Sequence, residues 1–441
     1  PRVLCSCFIV FVLFQVVYGQ NSSSWNIRDH LATKTMYSPV NTTSNPPAGC
    51  TAVQVNLVAR HGARYPGKSD INKFAALSDK MAQYNYNSEY AWMKTWKSPY
   101  TPEESDMLTY SGQVEHYNLA QRMLQKYPSV MGQEYAPYTY EMQSTQLSRT
   151  GRSGVSFGFS LFQDKGILPY PGGSFAPFYI YTNSIDIDTQ LRFFDVCPVY
   201  VNYVDDNSTA VEQANIYEAN EVTSAGLELS QAIGVYPDWI ISSDEIELMY
   251  KGCGYDIAVS NITSNFCSLF NEDRGNVLEY FEDLSNYWQK GYGYEINYEI
   301  ACDLLQDVFT IHDDYISGEN KNLLAKYRFA HAETIQPLIA ILGFYKDPSP
   351  LMADWTEEQQ EQRQWKTSNI SPFAANIQFI LYDCGDSQMI KILVNEVEQI
   401  IPGCSSVYCD YNQVKTIYQN YLNASFEDLC FYGETVCQYY C

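Results

Sequence analysis

The chain has 441 residues, 46% of them hydrophobic and 15% aromatic, and its 51 acidic side chains outnumber 27 basic ones for a net charge of −24. That apolar and aromatic content argues against disorder, and the acidic balance excludes a general nucleic-acid binder, whose footprint is basic. A site for any anionic ligand must then be a local basic cleft working against the field of the whole molecule.

Arg2, the apolar run over residues 3–17 and Tyr18-Gly19-Gln20 have the make-up of a secretory signal peptide over residues 1–19, with cleavage expected after Gly19. The run is short for a bilayer span, so no stable membrane insertion is expected. The rest exceeds what one hydrophobic core usually supports, which predicts two lobes. Beyond Gly19 lie Cys50, Cys197, Cys253, Cys267, Cys302, Cys384, Cys404, Cys409, Cys430, Cys437 and Cys441. In an oxidising compartment these should mostly pair. Their irregular spacing offers no zinc knuckle. The odd count leaves one thiol over, either terminal Cys441, free or joined to another chain, or a buried and inert one. N-x-S/T sequons at Asn21, Asn41, Asn207, Asn261, Asn369 and Asn423 predict a glycosylated surface. No retention tetrapeptide closes the chain, so an extracellular destination is expected.

Residues 20–49, rich in Ser, Thr, Asn and Pro, read as an extended lead-in that Cys50 pins to the body. Over residues 51–59, Val53, Val55 and Leu57 alternate with Gln54 and Asn56, predicting a strand half buried at its start and more fully buried at its end. In the sequence that follows, Arg60-His61-Gly62-Ala63-Arg64-Tyr65-Pro66-Gly67-Lys68, two glycines and a proline force a loop. It lies beyond the C-terminal end of a strand, where ligands bind in open α/β sheets. Helices are expected over residues 111–127, ended by Pro128, and over residues 149–162. The acidic middle reads as an inserted, mainly helical lobe over residues 185–290, between α/β parts at 20–184 and 291–441. A strand over residues 324–330 runs into His331-Ala332-Glu333, then a helix over 334–342 stopped by Gly343. Residues 376–382 form a further strand. Strands alternating with helices at both ends imply an α/β fold interrupted by the middle.

Chemistry gathers in the loop. Arginine guanidinium matches the oxygens of a phosphate monoester and stays charged at biological pH. An imidazole among such arginines can attack phosphorus to give a phosphohistidine that water then cleaves, while the cations stabilise the equatorial charge. Such a mechanism calls for no metal or cofactor.

Arg60-His61-Gly62-x-Arg64-x-Pro66 resembles the signature of the histidine acid phosphatases. The resemblance implies His61 as nucleophile with Arg60 and Arg64 on the phosphate, and a three-layer α/β/α lobe with an inserted, mainly α-helical lobe. Leu108-Thr109-x-x-Gly112 and Ser144-Thr145-x-x-x-Arg149-Thr150-x-x-Ser153 are similar to further family segments, and the latter implies Arg149 as a third phosphate-binding arginine. Pro402-Gly403-Cys404 with Cys409 resembles a late disulfide loop. Most members carry a late His-Asp pair, whereas this chain has His331-Ala332-Glu333-Thr334. That form, with Tyr287-Trp288-x-x-Gly291-Tyr292-Gly293-Tyr294, resembles the multiple inositol polyphosphate phosphatases. It implies that His331 helps hold the phosphate, that Glu333 is the acid and later the base, and that inositol hexakisphosphate, lower inositol phosphates and 2,3-bisphosphoglycerate are candidate substrates.

Lys68 is a candidate for a second phosphate, with a solvated lysine as the competing assignment. His30 falls in the lead-in, His116 reads as structural, and His312-Asp313 lacks the preceding strand that an acid site needs. Two other functions stay open: a broad-specificity acid phosphatase, and a secreted protein that binds phosphorylated ligands without turnover. The small-molecule phosphate ester is the expected partner, and the oligomeric state is not read from the sequence.

Overall fold

The computed structural model describes residues 25–40 and 44–431. The expected signal peptide, Asn21, Asn41, Cys437 and Cys441 lie outside the described residues. Among the described residues nine strands run in chain order: β1 (Thr51–Arg60), β2 (Tyr140–Ser144), β3 (Gln163–Tyr170), β4 (Gly173–Phe175), β5 (Ala325–Ala330), β6 (Asn376–Asp383), β7 (Gln388–Val394), β8 (Val397–Gln399) and β9 (Cys409–Asp410). Helices that bear on the sheet and the site include α1 (Lys68–Met81), α2 (Tyr110–Lys126), α3 (Ser148–Phe162), α4 (Ser243–Ser260), α5 (Glu272–Lys290), α6 (Cys302–Ser317) and α7 (Ala332–Ile341). The main sheet has the order β2-β5-β1-β6-β7-β8, with β9 also on β7, and β3 pairs with β4 in a separate hairpin. Strands β2, β5 and β1 are parallel, and β6 joins β1 antiparallel. None of these helices is long and apolar enough to cross a membrane.

Both faces of the sheet are covered, giving the expected α/β sandwich. On one face Val55, Leu57 and Ala59 of β1 and Tyr327 and Phe329 of β5 pack with Leu119 and Met123 of α2 and Phe157 and Leu161 of α3. On the other, Val58, Ile377 and Phe379 pack with Val308 of α6 and Ile335 and Leu338 of α7. From Ile185 to Ser317 every named element is helical. Its apolar interior, including Leu229, Met249 and Leu284, is continuous with that second face.

Two expectations change. Gln54 and Asn56, placed opposite the apolar side of β1, are fully buried rather than solvated. The Gln54 side chain donates to Leu323 O (2.7 Å) and accepts from His312 Nδ1 (2.7 Å), while Asn56 Oδ1 accepts from Arg328 (3.1 Å). The strand is covered on both faces, so its polar side chains pair with polar groups of neighbouring segments instead of with water. The lead-in is not simply extended: it folds into turns at Ile27–Asp29 and Ala32–Lys34. His30 Nδ1 lies 3.1 Å from Glu279, which also accepts from Arg363 (3.0 Å), so the segment is fastened to α5.

Among the described residues four disulfides are present: Cys50–Cys384, Cys197–Cys430, Cys253–Cys267 and Cys404–Cys409. The first fastens the entrance of β1 as expected. Among the described residues the free cysteine is Cys302, buried, its thiol pushed up to about 12 by burial.

The turn after β1 depends on two glycines. A Cβ on Gly62 would stand 2.3 Å from Gly112 O, and one on Gly112 would stand 2.2 Å from Ala63 O. Loop and helix α2 therefore meet backbone to backbone. Gly62→Ala or Gly112→Ala should each cost about 1–3 kcal/mol of stability by overpacking. Urea unfolding measures this, and a change under about 0.5 kcal/mol would mean that the two backbones are not in contact.

Candidate active site

The parallel register pairs Arg60 of β1 with Ala330 of β5. His61 and His331 therefore leave adjacent strands at the same level, and their rings meet edge to face with centroids 5.7 Å apart. Next to β5, β2 ends at Ser144, and the Thr145 N–H donates to Phe329 O (3.1 Å). That exit feeds α3, whose second residue is Arg149. The loop 60–64 is stitched on its other side. Arg64 bridges to Leu108 in antiparallel fashion, and Gly62 N–H donates to Ser153 Oγ (3.1 Å). Arg60, His61, Arg64, Arg149, His331 and Glu333 are thus gathered at one edge of the sheet from β1, α3 and α7.

His61 is buried, and its Nδ1 lies 2.8 Å from Gly62 O. A carbonyl only accepts, so Nδ1 carries the proton and the neutral ring presents the Nε2 lone pair. Burial, then the charges of Arg60 and Arg149, hold the imidazole well below its ordinary value. It stays neutral in acid.

Arg60 donates through one terminal nitrogen to Thr33 O and Ser371 O (both 2.6 Å), and its guanidinium sits 4.7 Å over the Phe373 ring. Burial is the main influence pulling it down, to about 10, so it remains a cation. Arg64 is 3.1 Å and Arg149 3.7 Å from Asp106 Oδ1. The Nε–H groups of Arg60, Arg64 and Arg149 are buried without an acceptor, as is that of Arg192. Buried donors are normally paired, and four unpaired ones on four cations suit the oxygens of an anion.

The Nε2 of His331 lies 3.1 Å from Arg192 and 2.9 Å from Thr145 Oγ1. Arginine only donates, so this nitrogen accepts. Burial and the Arg149 charge keep the ring neutral, well below its ordinary value. Helix α7 begins at Ala332, two residues earlier than expected, with His331 as its N-cap. Glu333 falls in the first turn, 3.8 Å from Lys290 Nζ at the end of α5. Burial would raise its carboxyl, but Lys290, a backbone N–H and Arg60 prevail and hold it at about 2. In the free protein Glu333 is therefore a carboxylate.

Lys68 is the exposed first residue of α1, beside Gly67. His116 donates from Nε2 to Arg60 O (3.0 Å), and His312 lies under the sheet on Gln54. Sequence reasoning did not reach Arg192, Lys290 or Asp106. Arg192 had a signal, a lone cation inside Leu191-Arg192-Phe193-Phe194, since a charge among bulky apolar residues needs a built partner. Lys290 and Asp106 had none, because only the approach of distant segments brings them to the site.

Residues 53–395 match the model of the histidine phosphatase superfamily, branch 2. The chain is 33% identical over 430 residues to multiple inositol polyphosphate phosphatase 1 of Dictyostelium discoideum, covering 85% of this chain and 67% of that one. It is 30% identical over 426 residues to the Gallus gallus protein of the same name, covering 94% and 92%. The fold is similar to that of the phytase from D. castellii, with a TM-score of 0.75 at 20% identity, covering 94% of this chain and 92% of that one. It is also similar to Bifidobacterium longum multiple inositol polyphosphate phosphatase in complex with inositol hexasulfate, with a TM-score of 0.69 at 19% identity, covering 88% and 97%. With that match spanning both the Arg60–Arg64 loop and the His331–Glu333 turn, the chain belongs to the histidine phosphatase superfamily, branch 2.

Proposed function

We propose that this protein hydrolyses phosphate monoesters through a phosphohistidine at His61, and that inositol polyphosphates, inositol hexakisphosphate included, are its substrates. The carrying observation is a neutral, buried His61 with its Nε2 lone pair available among Arg60, Arg64 and Arg149. Those arginines, with Arg192 and His331, hold the phosphoryl oxygens while Nε2 attacks phosphorus and the bond to the leaving oxygen breaks. The leaving alkoxide needs a proton. A phosphate monoester loses its second proton near pH ~6, so below that the substrate brings one to the site. Glu333, raised by the incoming negative charge, relays it to the leaving oxygen. Glu333 then takes a proton from the water that cleaves the phosphohistidine, and inorganic phosphate leaves. The names of the relatives support inositol polyphosphates as the substrate class. So does Lys290, a cation besides the arginines that hold the reacting phosphoryl group, with exposed Lys68 as a further candidate contact.

Secretion as a glycoprotein belongs to the same proposal. It is supported by the four disulfides and by exposed Asn261, Asn369 and Asn423 and half-buried Asn207 at sequons. Endoglycosidase treatment of protein from a eukaryotic host should lower its mass, and an unchanged mass would remove this part.

Inorganic phosphate release should favour inositol hexakisphosphate over p-nitrophenyl phosphate in kcat/KM; the reverse order would point to a broad-specificity acid phosphatase. His61→Ala should lose at least ~100-fold in kcat, the lower range for removing a catalytic group. Activity above that level would remove His61 as nucleophile. Glu333→Gln should slow inositol hexakisphosphate far more than p-nitrophenyl phosphate, whose leaving group needs no acid, and equal losses would remove Glu333 as the proton donor.

The pH dependence follows from the signs of the shifts. His61 and His331 are depressed, so they stay neutral as pH falls through the ordinary histidine range. No acid limb should appear near pH ~6.5. The alkaline limb should begin near pH ~6, where the substrate stops carrying its proton. Rates between pH 4.5 and 8 check this, and an activity loss on acidification through pH ~6.5 would show that His61 titrates normally.

A further inference from the structure

The loop carrying Arg60 to Arg64 is held from behind by α2. Ala63 O accepts from both the N–H and the hydroxyl of Thr109, each at 2.9 Å. The Ala63 N–H donates to Glu115 Oε2 (2.8 Å), and the other oxygen of Glu115 accepts from Tyr37 N–H (3.3 Å). One carboxylate thus joins the helix, the loop and the lead-in, which itself supplies the Thr33 carbonyl to Arg60. Among the described residues no cation pairs with Glu115 at ion-pair distance, and the charge it senses is that of Arg60.

We propose that Glu115 is a positioning residue of the phosphate site: it holds the loop in the conformation that presents Arg60 and Arg64 to an anion, and its own charge, when present, weakens anion binding. This rests on the phosphate-binding half of the proposed function. Burial pushes the carboxyl up to about 7, against the two N–H donors and Arg60. The groups facing it are Arg60 from β1, which stays a cation, and Tyr37 from the lead-in, held well above the ordinary phenol range by burial and Glu396. Arg122 lies over the Tyr37 ring and is paired with Glu396. On its own helix His116 is neutral, lowered by burial to about 3. A raised carboxyl is neutral below its value and charged above it, so Glu115 gains its charge on going from pH 5 to pH 8. Lys34 of the lead-in, lowered by burial to about 7, changes charge over the same range. Comparing wild type and variant at one pH cancels its contribution.

Sulfate is the probe, because it does not titrate between pH 5 and 8, and its affinity is read by calorimetry. Glu115→Gln should bind sulfate about fivefold more tightly than wild type at pH 8, as expected for one charge at intermediate dielectric, and like wild type at pH 5. Equal affinities at pH 8 would overturn the electrostatic half. Glu115→Ala, which leaves Ala63 N–H without its acceptor, should have a kcat on p-nitrophenyl phosphate at least about tenfold below that of Glu115→Gln, whose amide oxygen can still accept. Equal kcat values would overturn the positioning half. Should Glu115→Ala fail to fold, the sulfate ratio of Glu115→Gln alone decides. If sulfate behaves as expected while the wild type releases no phosphate, the proposed activity fails and the role of Glu115 at the anion site stands.

Discussion

The site depends on the parallel pairing of β1 with β5. Parallel neighbours end at the same edge of a sheet, and the register that pairs Arg60 with Ala330 puts the next residue of each strand, His61 and His331, side by side. Those residues lie beyond the last ladder positions, so their side chains serve the edge rather than the core. Strand β2, parallel to β5 on its other side, delivers Thr145 and, one helical turn on, Arg149. Shifting one strand by a residue would turn its histidine to the opposite face. The burial of β1 and β5 on both faces prevents that slip.

Around this edge the molecule concentrates the charge it lacks elsewhere. Arg60, Arg64, Arg149, Arg192 and Lys290 converge in a chain of net charge −24. Cations taken out of water are costly unless paired. Part of the cost is met locally by Asp106 between Arg64 and Arg149, by Asp195 on Arg192 and by Glu333 beside Lys290. An arriving phosphate competes for those same cations. Burial and this field together keep His61 neutral, while the cations keep Glu333 ionised. Both are in the form that the proposed attack on phosphorus and activation of water require.

The fold was largely legible where one periodicity spoke for one element. Strand β1 and helices α2 and α3 lie within a residue or two of the boundaries their apolar spacing predicted. The hairpin β3–β4 was not legible, because its residues are only partly buried and carry no strong alternation. Strand β7 carries Met389, Ile390, Ile392, Leu393 and Val394, a short apolar run broken only by Lys391, which periodicity alone does not separate from a buried helix segment. The polar residues of β1 misled for a related reason. Alternation signals two environments, and here the second was a buried polar network rather than solvent.

From the sequence alone came the proposed nucleophile, its flanking arginines and the distant His-Ala-Glu turn, since each sits in a short string whose local chemistry or family likeness is complete within a few residues. Tertiary structure decided the rest: that His331 lies against His61 across most of the chain, that Arg192 and Lys290 complete the cationic wall, and that Glu115 holds the loop from behind. Those contacts join residues far apart in sequence, and no local pattern encodes the strand register and helix packing that bring them together.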